Sequence, residues 1–153
     1  MNVAVDYLAN RASETEIAEH LLCCDADFVP MLSKRVDIRD YAQKIASKAT
    51  RFEAWSAGTL VGLVAAYCND TETRIAHITS VSVIKAWTGK GIGANLIDQC
   101  VVHARAAGMR QIGLEVAAAN VPAIKLYAKN GFVAGKLNKP FIPMKLILKA
   151  AKP

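Results

Sequence analysis

Thr88-Gly89-Lys90-Gly91-Ile92-Gly93-Ala94 stands between an alternating segment, Ile75 to Ile84, and a run in which Leu96, Ile97, Cys100, Val101 and Ala104 recur at three- and four-residue steps. That order predicts a strand, a glycine turn and an amphipathic helix. Glycines there let the backbone turn tightly and let a bulky anion approach the main-chain N–H groups. The unsatisfied N–H groups of the first helical turn, at the positive end of the helix dipole, then favour phosphate. Lys90 adds a charge. Two glycines would suffice to close the turn, so the third argues for a ligand.

Downstream, Gly108 stops the helix and Gln111 to Val116 reads as a buried strand. Asn120 caps a helix over Ala123 to Lys129 that ends at Asn130-Gly131, and two strands close the chain near Phe132 to Lys136 and Phe141 to Leu148. Upstream, Val3, Val5 and Tyr7 alternate as a short strand, and Ser13-Glu14-Thr15-Glu16 has the capping-box spacing for a helix running to about Asp25. Asp37 caps a second helix through Ile38, Tyr41, Ala42 and Ile45. A strand around Phe52 and Ala54, the turn Ala57-Gly58-Thr59 and a strand over Leu60 to Cys68 make a hairpin, with a second turn at Asn69 to Glu72. The expected fold class is α+β: a mixed, mostly antiparallel sheet of about seven strands, a central parallel strand-helix-strand unit and about four helices.

The chain has 153 residues, which points to a single domain over 1–153. Apolar residues at 53% and charged ones at 21% describe a globular chain rather than a disordered one. A mean hydropathy of +0.22 raises the question of a membrane. The apolar run Leu60 to Cys68 is broken by Gly62 and falls far short of the ~20 residues a span requires, so no membrane is expected. No Lys or Arg precedes Arg11, so the basic start of a secretory signal is missing and the cytoplasm is the expected compartment. Cys23, Cys24, Cys68 and Cys100 form no C-x-x-C and no His stands at ligand spacing, which predicts reduced thiols and no metal site. The net charge of +6 favours an anionic partner. Scattered basic residues, without interleaved aromatic residues, argue against nucleic acid.

Two phosphate ligands fit the glycine turn. Gly89-x-Gly91-x-x-Ala94 satisfies a dinucleotide fingerprint, with Glu115 about twenty residues on as a ribose-binding acid. That fingerprint normally opens a doubly wound sheet, whereas here it follows a hairpin and leaves too little chain for a second mononucleotide-binding half. The other reading comes from a resemblance. Ser80-Val81-Ser82-Val83, the glycine turn, Leu114-Glu115-Val116, Asn120 and Ala123-Ile124-Lys125-Leu126-Tyr127-Ala128-Lys129-Asn130-Gly131-Phe132 together resemble the GCN5-related N-acetyltransferase (GNAT) family, from Ile75 to Val133.

The resemblance implies transfer of an acetyl group from acetyl-CoA, as co-substrate, to a primary amine on a small molecule or peptide. Homodimer formation is left open. Gly89, Lys90, Gly91, Ile92, Gly93 and Ala94 would bind the pyrophosphate through main-chain N–H groups, Val81 and Val83 would pair with the pantetheine arm like an added strand, and a bulge and a splay between that strand and Gln111 to Val116 would open the slot. Where the family loop usually begins with Arg or Gln, this chain has Thr88, whose hydroxyl would donate instead. Asn120 would hydrogen-bond the cofactor arm, a main-chain N–H near Val83 would stabilise the oxyanion, and Tyr127 would protonate the departing thiolate. Glu115 is the candidate base, with His77 and Glu72 in reserve. His77 is expected on the same strand face as Val81 and Val83. Asp27 to Val36 and Lys136 to Met144 would build the acceptor pocket, and Tyr67, Asp70 and Glu72 suit a cationic small amine or an amino sugar. A fold that binds acyl-CoA without transferring the group is the alternative.

Overall fold

Polar caps at helix starts and one pair of positive-φ residues set most element boundaries in the computed structural model, which describes residues 4–148. In chain order these are β1 (Asp6–Ala9), α1 (Glu14–Cys24), α2 (Ile38–Lys48), β2 (Thr50–Ser56), β3 (Thr59–Tyr67), β4 (Ile75–Val83), α3 (Ile92–Ala106), β5 (Gln111–Ala117), α4 (Val121–Lys129), β6 (Val133–Ala134) and β7 (Phe141–Ile147). Ser13 and Glu16 form the reciprocal capping box on α1, and the Asp37 carboxylate accepts from Asp40 N–H at the start of α2. Ala57 at φ 49° and Gly58 at φ 78° make the tight turn that fits the twist of the β2–β3 hairpin. The first strand begins at Asp6 rather than Val3, which lies outside the described residues. The expected strand Phe132 to Lys136 shrinks to the two residues of β6.

The strands are ordered β1-β2-β3-β4-β5-β7-β6, with β4–β5 the one parallel pair among the described residues. Helices α1 and α2 cover one face, where Ile17, Leu21 and Ile45 pack on Leu63 and Ala65. On the other face Leu96, Ile97 and Cys100 of α3 and Tyr127 of α4 pack on Val64, Ile112 and Leu114. This is the expected α+β sheet with its central parallel unit.

Two polar residues tie the layers together. Glu53, fully buried, accepts from the main-chain N–H groups of Arg11 and Ala12, from Arg51 Nε and from Trp55 Nε1, which fastens the β1–α1 junction to β2. His20 of α1 donates from Nδ1 to the Leu60 carbonyl at 2.8 Å. That bond leaves Nε2 to accept from the Ser82 hydroxyl at 2.9 Å. The imidazole thus links α1 to β3 and β4.

Gly62 positions the start of α3. A Cβ there would come 2.8 Å from Ile92 Cγ2 and 3.2 Å from Leu96 Cδ1. Both neighbours are buried, and the nearer belongs to a stiff β-branched side chain.

Two outcomes are expected. Gly62→Ala should cost about 1–3 kcal/mol in chemical denaturation, because the added methyl pushes α3 off the sheet. For His20, burial lowers the imidazole pKa from 6.5, so the unfolded chain binds its proton first as pH falls. The stabilisation is therefore complete above about pH 6.5 and is lost as pH drops towards the folded value. Melting temperature should decline between pH 7.5 and 5, and His20→Gln should flatten that slope; an unchanged slope would assign it to other groups.

Candidate active site

Parallel pairing between β4 and β5 lasts for three residues, Ile75 to His77 against Gln111 to Gly113. Beyond it β5 stays with β7, through Glu115 opposite Pro143 and Ala117 opposite Phe141, while β4 stays with β3. The edge of β4 that faces β5 is therefore unpaired over its second half. A bulge accompanies the separation. Ala65 pairs with Ser80 and Ala66 with Ile78, leaving Thr79 as the extra residue of β4. Tyr41 of α2 holds it, its hydroxyl donating to the Thr79 carbonyl at 2.7 Å and lying 2.8 Å from Oγ1.

The gap opens into a slot of about 240 Å³ lined by Val81, Ser82, Val83, Thr88, Gly93, Asn120 and Tyr127, with Cys24 and Phe28 closing the α1 side. Gly89 and Gly91 have φ of 77° and 80°, a conformation that side chains with a Cβ rarely adopt, and Gly91 caps α3 with no side-chain hydrogen bond. A Cβ on either would meet no atom within 4 Å, so the space over the turn is open to a ligand. Gly93 does a different job, because its Cβ would sit 3.4 Å from Leu126 Cδ2 where α3 meets α4. Ile92 is buried in the core, so only its N–H faces the turn's business; Ala94 is half-buried and Lys90 exposed. Thr88 reaches the slot, but its hydroxyl donates to the Lys85 carbonyl at 2.7 Å. That corrects the expected donation to the anion, since the single hydroxyl hydrogen is used within the turn.

Asn120 caps α4 through Oδ1, which accepts from Ala123 N–H at 3.3 Å, and this leaves its amide NH₂ for the slot. Tyr127 is 7% exposed, packs its ring against Phe132 at 6.2 Å, and its hydroxyl makes no hydrogen bond among the described residues. Burial pushes its pKa up to about 12, so the phenol keeps its proton at neutral pH. Ser82 and Cys24 border the same slot, and His20 stands behind them, its Nε2 2.9 Å from the Ser82 hydroxyl and 3.8 Å from the Cys24 thiol. Burial raises the Cys24 pKa to about 12, which leaves it an unreactive thiol. No motif in the sequence signalled His20 or Tyr41, because both join elements far apart in the chain.

Glu115 and Tyr127 do not share a cavity. Glu115 lines a second cavity of about 240 Å³ on the α1/α2 side, with Phe28, Arg35, Tyr41 and His77. Phe28 belongs to both cavities, so the two adjoin there. The bulge at Thr79 reverses the alternation of β4 and overturns the expected common face of His77 with Val81 and Val83. His77 sits beside Glu115 instead, whereas Val81 and Val83 pack on the α3/α4 side. Asp70 and Glu72 lie in an exposed turn away from both cavities, and Tyr67 packs on the α1/α2 core. Phe28, Leu32, Arg35 and Val36 are the part of the expected acceptor segment that lines the second cavity. Glu115 thus opens towards the α1/α2 side, away from the face on which α3 lies, and the sheet is mostly antiparallel; both facts contradict the dinucleotide reading. Among the described residues no His/Cys/Asp/Glu group could hold a metal ion, and no helix is long and apolar enough to cross a membrane.

The fold has counterparts among solved structures. A PaiA N-acetyltransferase from Thermoplasma acidophilum, solved in complex with coenzyme A, superimposes with a TM-score of 0.76 at 15% identity, covering 94% of this chain and 99% of that one. In sequence, an N-alpha-acetyltransferase MAK3 of Arabidopsis thaliana is 29% identical over 86 residues, 56% of this chain and 45% of the relative. An uncharacterized N-acetyltransferase of Methanocaldococcus jannaschii is 34% identical over 91 residues, 57% of this chain and 40% of the relative. The chain thus matches less than half the length of these curated relatives. The family model described as acetyltransferase (GNAT) matches residues 15–132, which takes in the glycine turn, the separated strands and the Asn120–Tyr127 helix alike, and the chain belongs to that family.

Proposed function

We propose that this chain, acting as one domain, is an N-acetyltransferase that uses acetyl-CoA to acetylate a primary amine by direct attack in a ternary complex. The observation that carries the reading is the unpaired edge of β4 beside an open left-handed glycine turn. The residues present fit the cofactor: a turn with no Cβ in its open space suits a pyrophosphate, and a mostly apolar slot ending at Asn120 and Tyr127 suits a pantetheine arm. When bound, acetyl-CoA supplies an acetyl thioester at which a nitrogen–carbon bond replaces the carbon–sulfur bond, the sulfur taking up one proton as the nitrogen gives one up.

The chain's own residues divide that work. Main-chain N–H groups from Gly89 to Ala94 hold the diphosphate, and Lys90 adds positive charge at the exposed rim. Val81 and Val83 offer main-chain N–H and C=O groups to an extended arm along β4, and a main-chain N–H near Val83 is the candidate oxyanion donor. Tyr127 holds a proton on an otherwise unbonded hydroxyl in the slot, which suits a general acid for the thiolate. Glu115 suits the base that takes the ammonium proton, from across the wall at Phe28. The acceptor is a small-molecule or peptide amine. A cytoplasmic location belongs to this reading and is supported by four free cysteines.

Two experiments test it. With acetyl-CoA at ~100 times its dissociation constant, unfolding should shift by about 2.7 kcal/mol, and NAD should have no effect. Gly91→Val should remain folded but lose that stabilisation, since a β-branched residue resists φ of 80° and fills the anion's space. Tyr127→Phe should lower kcat by about 10²-fold while acetyl-CoA affinity stays within about threefold. Equal turnover would remove Tyr127 from the mechanism, and acetyl-CoA binding without turnover by the unaltered chain would favour a non-catalytic acyl-CoA module.

A further inference from the structure

The second cavity holds a cation and a carboxylate that do not neutralise each other. Arg35 follows the short turn Leu32–Lys34, and its guanidinium carbon lies 4.8 Å from the centroid of the Phe141 ring on β7. This cation–π contact holds the exposed guanidinium over the ring, and its N–H groups make no hydrogen bond among the described residues. Glu115 stands on β5 two residues past Gly113, the last residue paired to β4, and so at the mouth of the gap. Both line the cavity, yet Arg51–Glu53 is the only ion pair within 4.0 Å among the described residues. The open distance between Arg35 and Glu115 is thus too long for direct contact. The Tyr41 hydroxyl is occupied by Thr79; His77 and Thr79 add to the polar part of the wall, and Phe28, Leu32, Val36 and Ile78 form its apolar part.

We infer that the acceptor is a small amine that carries its own carboxylate, an amino acid with an apolar side chain: Arg35 takes the carboxylate, Glu115 takes the ammonium, and Phe28, Leu32 and Val36 take the side chain. This rests on the acetyltransferase reading and specifies its acceptor. A guanidinium and a carboxylate facing one cavity match a zwitterion, with two charge-assisted contacts in place of one. An amino sugar would leave Arg35 without an anion, and a peptide would carry its carboxylate too far from the reacting nitrogen. The volume, about 240 Å³, is also below the ~300–1,000 Å³ of sites for larger ligands.

Thiol release from acetyl-CoA tests the inference with L-leucine, L-leucinamide, 3-methylbutylamine, D-glucosamine and an N-terminally free pentapeptide. The expected result is a kcat/KM for leucine about tenfold or more above each of the others, the size of a lost hydrogen bond to a charged group. In Arg35→Gln the ratio of leucine to 3-methylbutylamine should collapse towards one, with acetyl-CoA stabilisation retained. The inference is overturned if leucinamide, glucosamine or the peptide equals leucine, if Arg35→Gln keeps the preference, or if no acceptor is used although acetyl-CoA stabilises the chain. Absence of that stabilisation in the unaltered protein would instead remove the acetyltransferase reading, and this inference with it.

Discussion

A parallel strand pair that comes apart after three residues is the constraint on which the rest of the molecule depends. Backbone N–H and C=O groups at a sheet interior are normally paired, and leaving them unpaired costs free energy unless water or a ligand satisfies them. Here β5 remains bonded to β7 and β4 to β3, so each half of the sheet is internally complete while the seam between them stays open. The open seam gives one cavity to the α3/α4 side and another to the α1/α2 side, with Phe28 lining both.

Keeping a sheet open in its middle requires support from outside it. Tyr41 binds the carbonyl of the bulged Thr79, and His20 binds Ser82 and Leu60, so α2 and α1 each hold β4 from the α1/α2 face of the sheet. Glu53 secures the chain entering α1 with four donors, from Arg11, Ala12, Arg51 and Trp55. From the other face Gly62 lets Ile92 settle against β3, which sets the height of the α3 N-terminus relative to the seam. These are long-range polar and steric contacts, each placing backbone at the slot without entering it.

Much of the candidate site was legible because its parts are local. The glycine turn announces itself, since positive φ at Gly89 and Gly91 is available cheaply only to glycine. Asn120 was readable as a cap, and Tyr127 followed at helical spacing within a recognisable block. The face of His77 was misread because alternation counts residues, and a single extra one at Thr79 inverts every side chain beyond it. The hydroxyl of Thr88 was assigned to an anion, whereas the short turn ending at Thr88 offered it the Lys85 carbonyl nearer at hand.

By itself the sequence determined the order of elements, the helix caps, the hairpin turn and the glycine-lined start of α3, because each depends on backbone preferences acting over a few residues. Only the tertiary structure decided that β4 parts from β5 after His77, that Tyr127 and Glu115 stand in different cavities, and that Arg35 and Glu115 line one cavity without forming an ion pair. Those relations depend on strand register, a bulge and the packing of helices from distant parts of the chain, none of which leaves a periodic signature in the residues that form them.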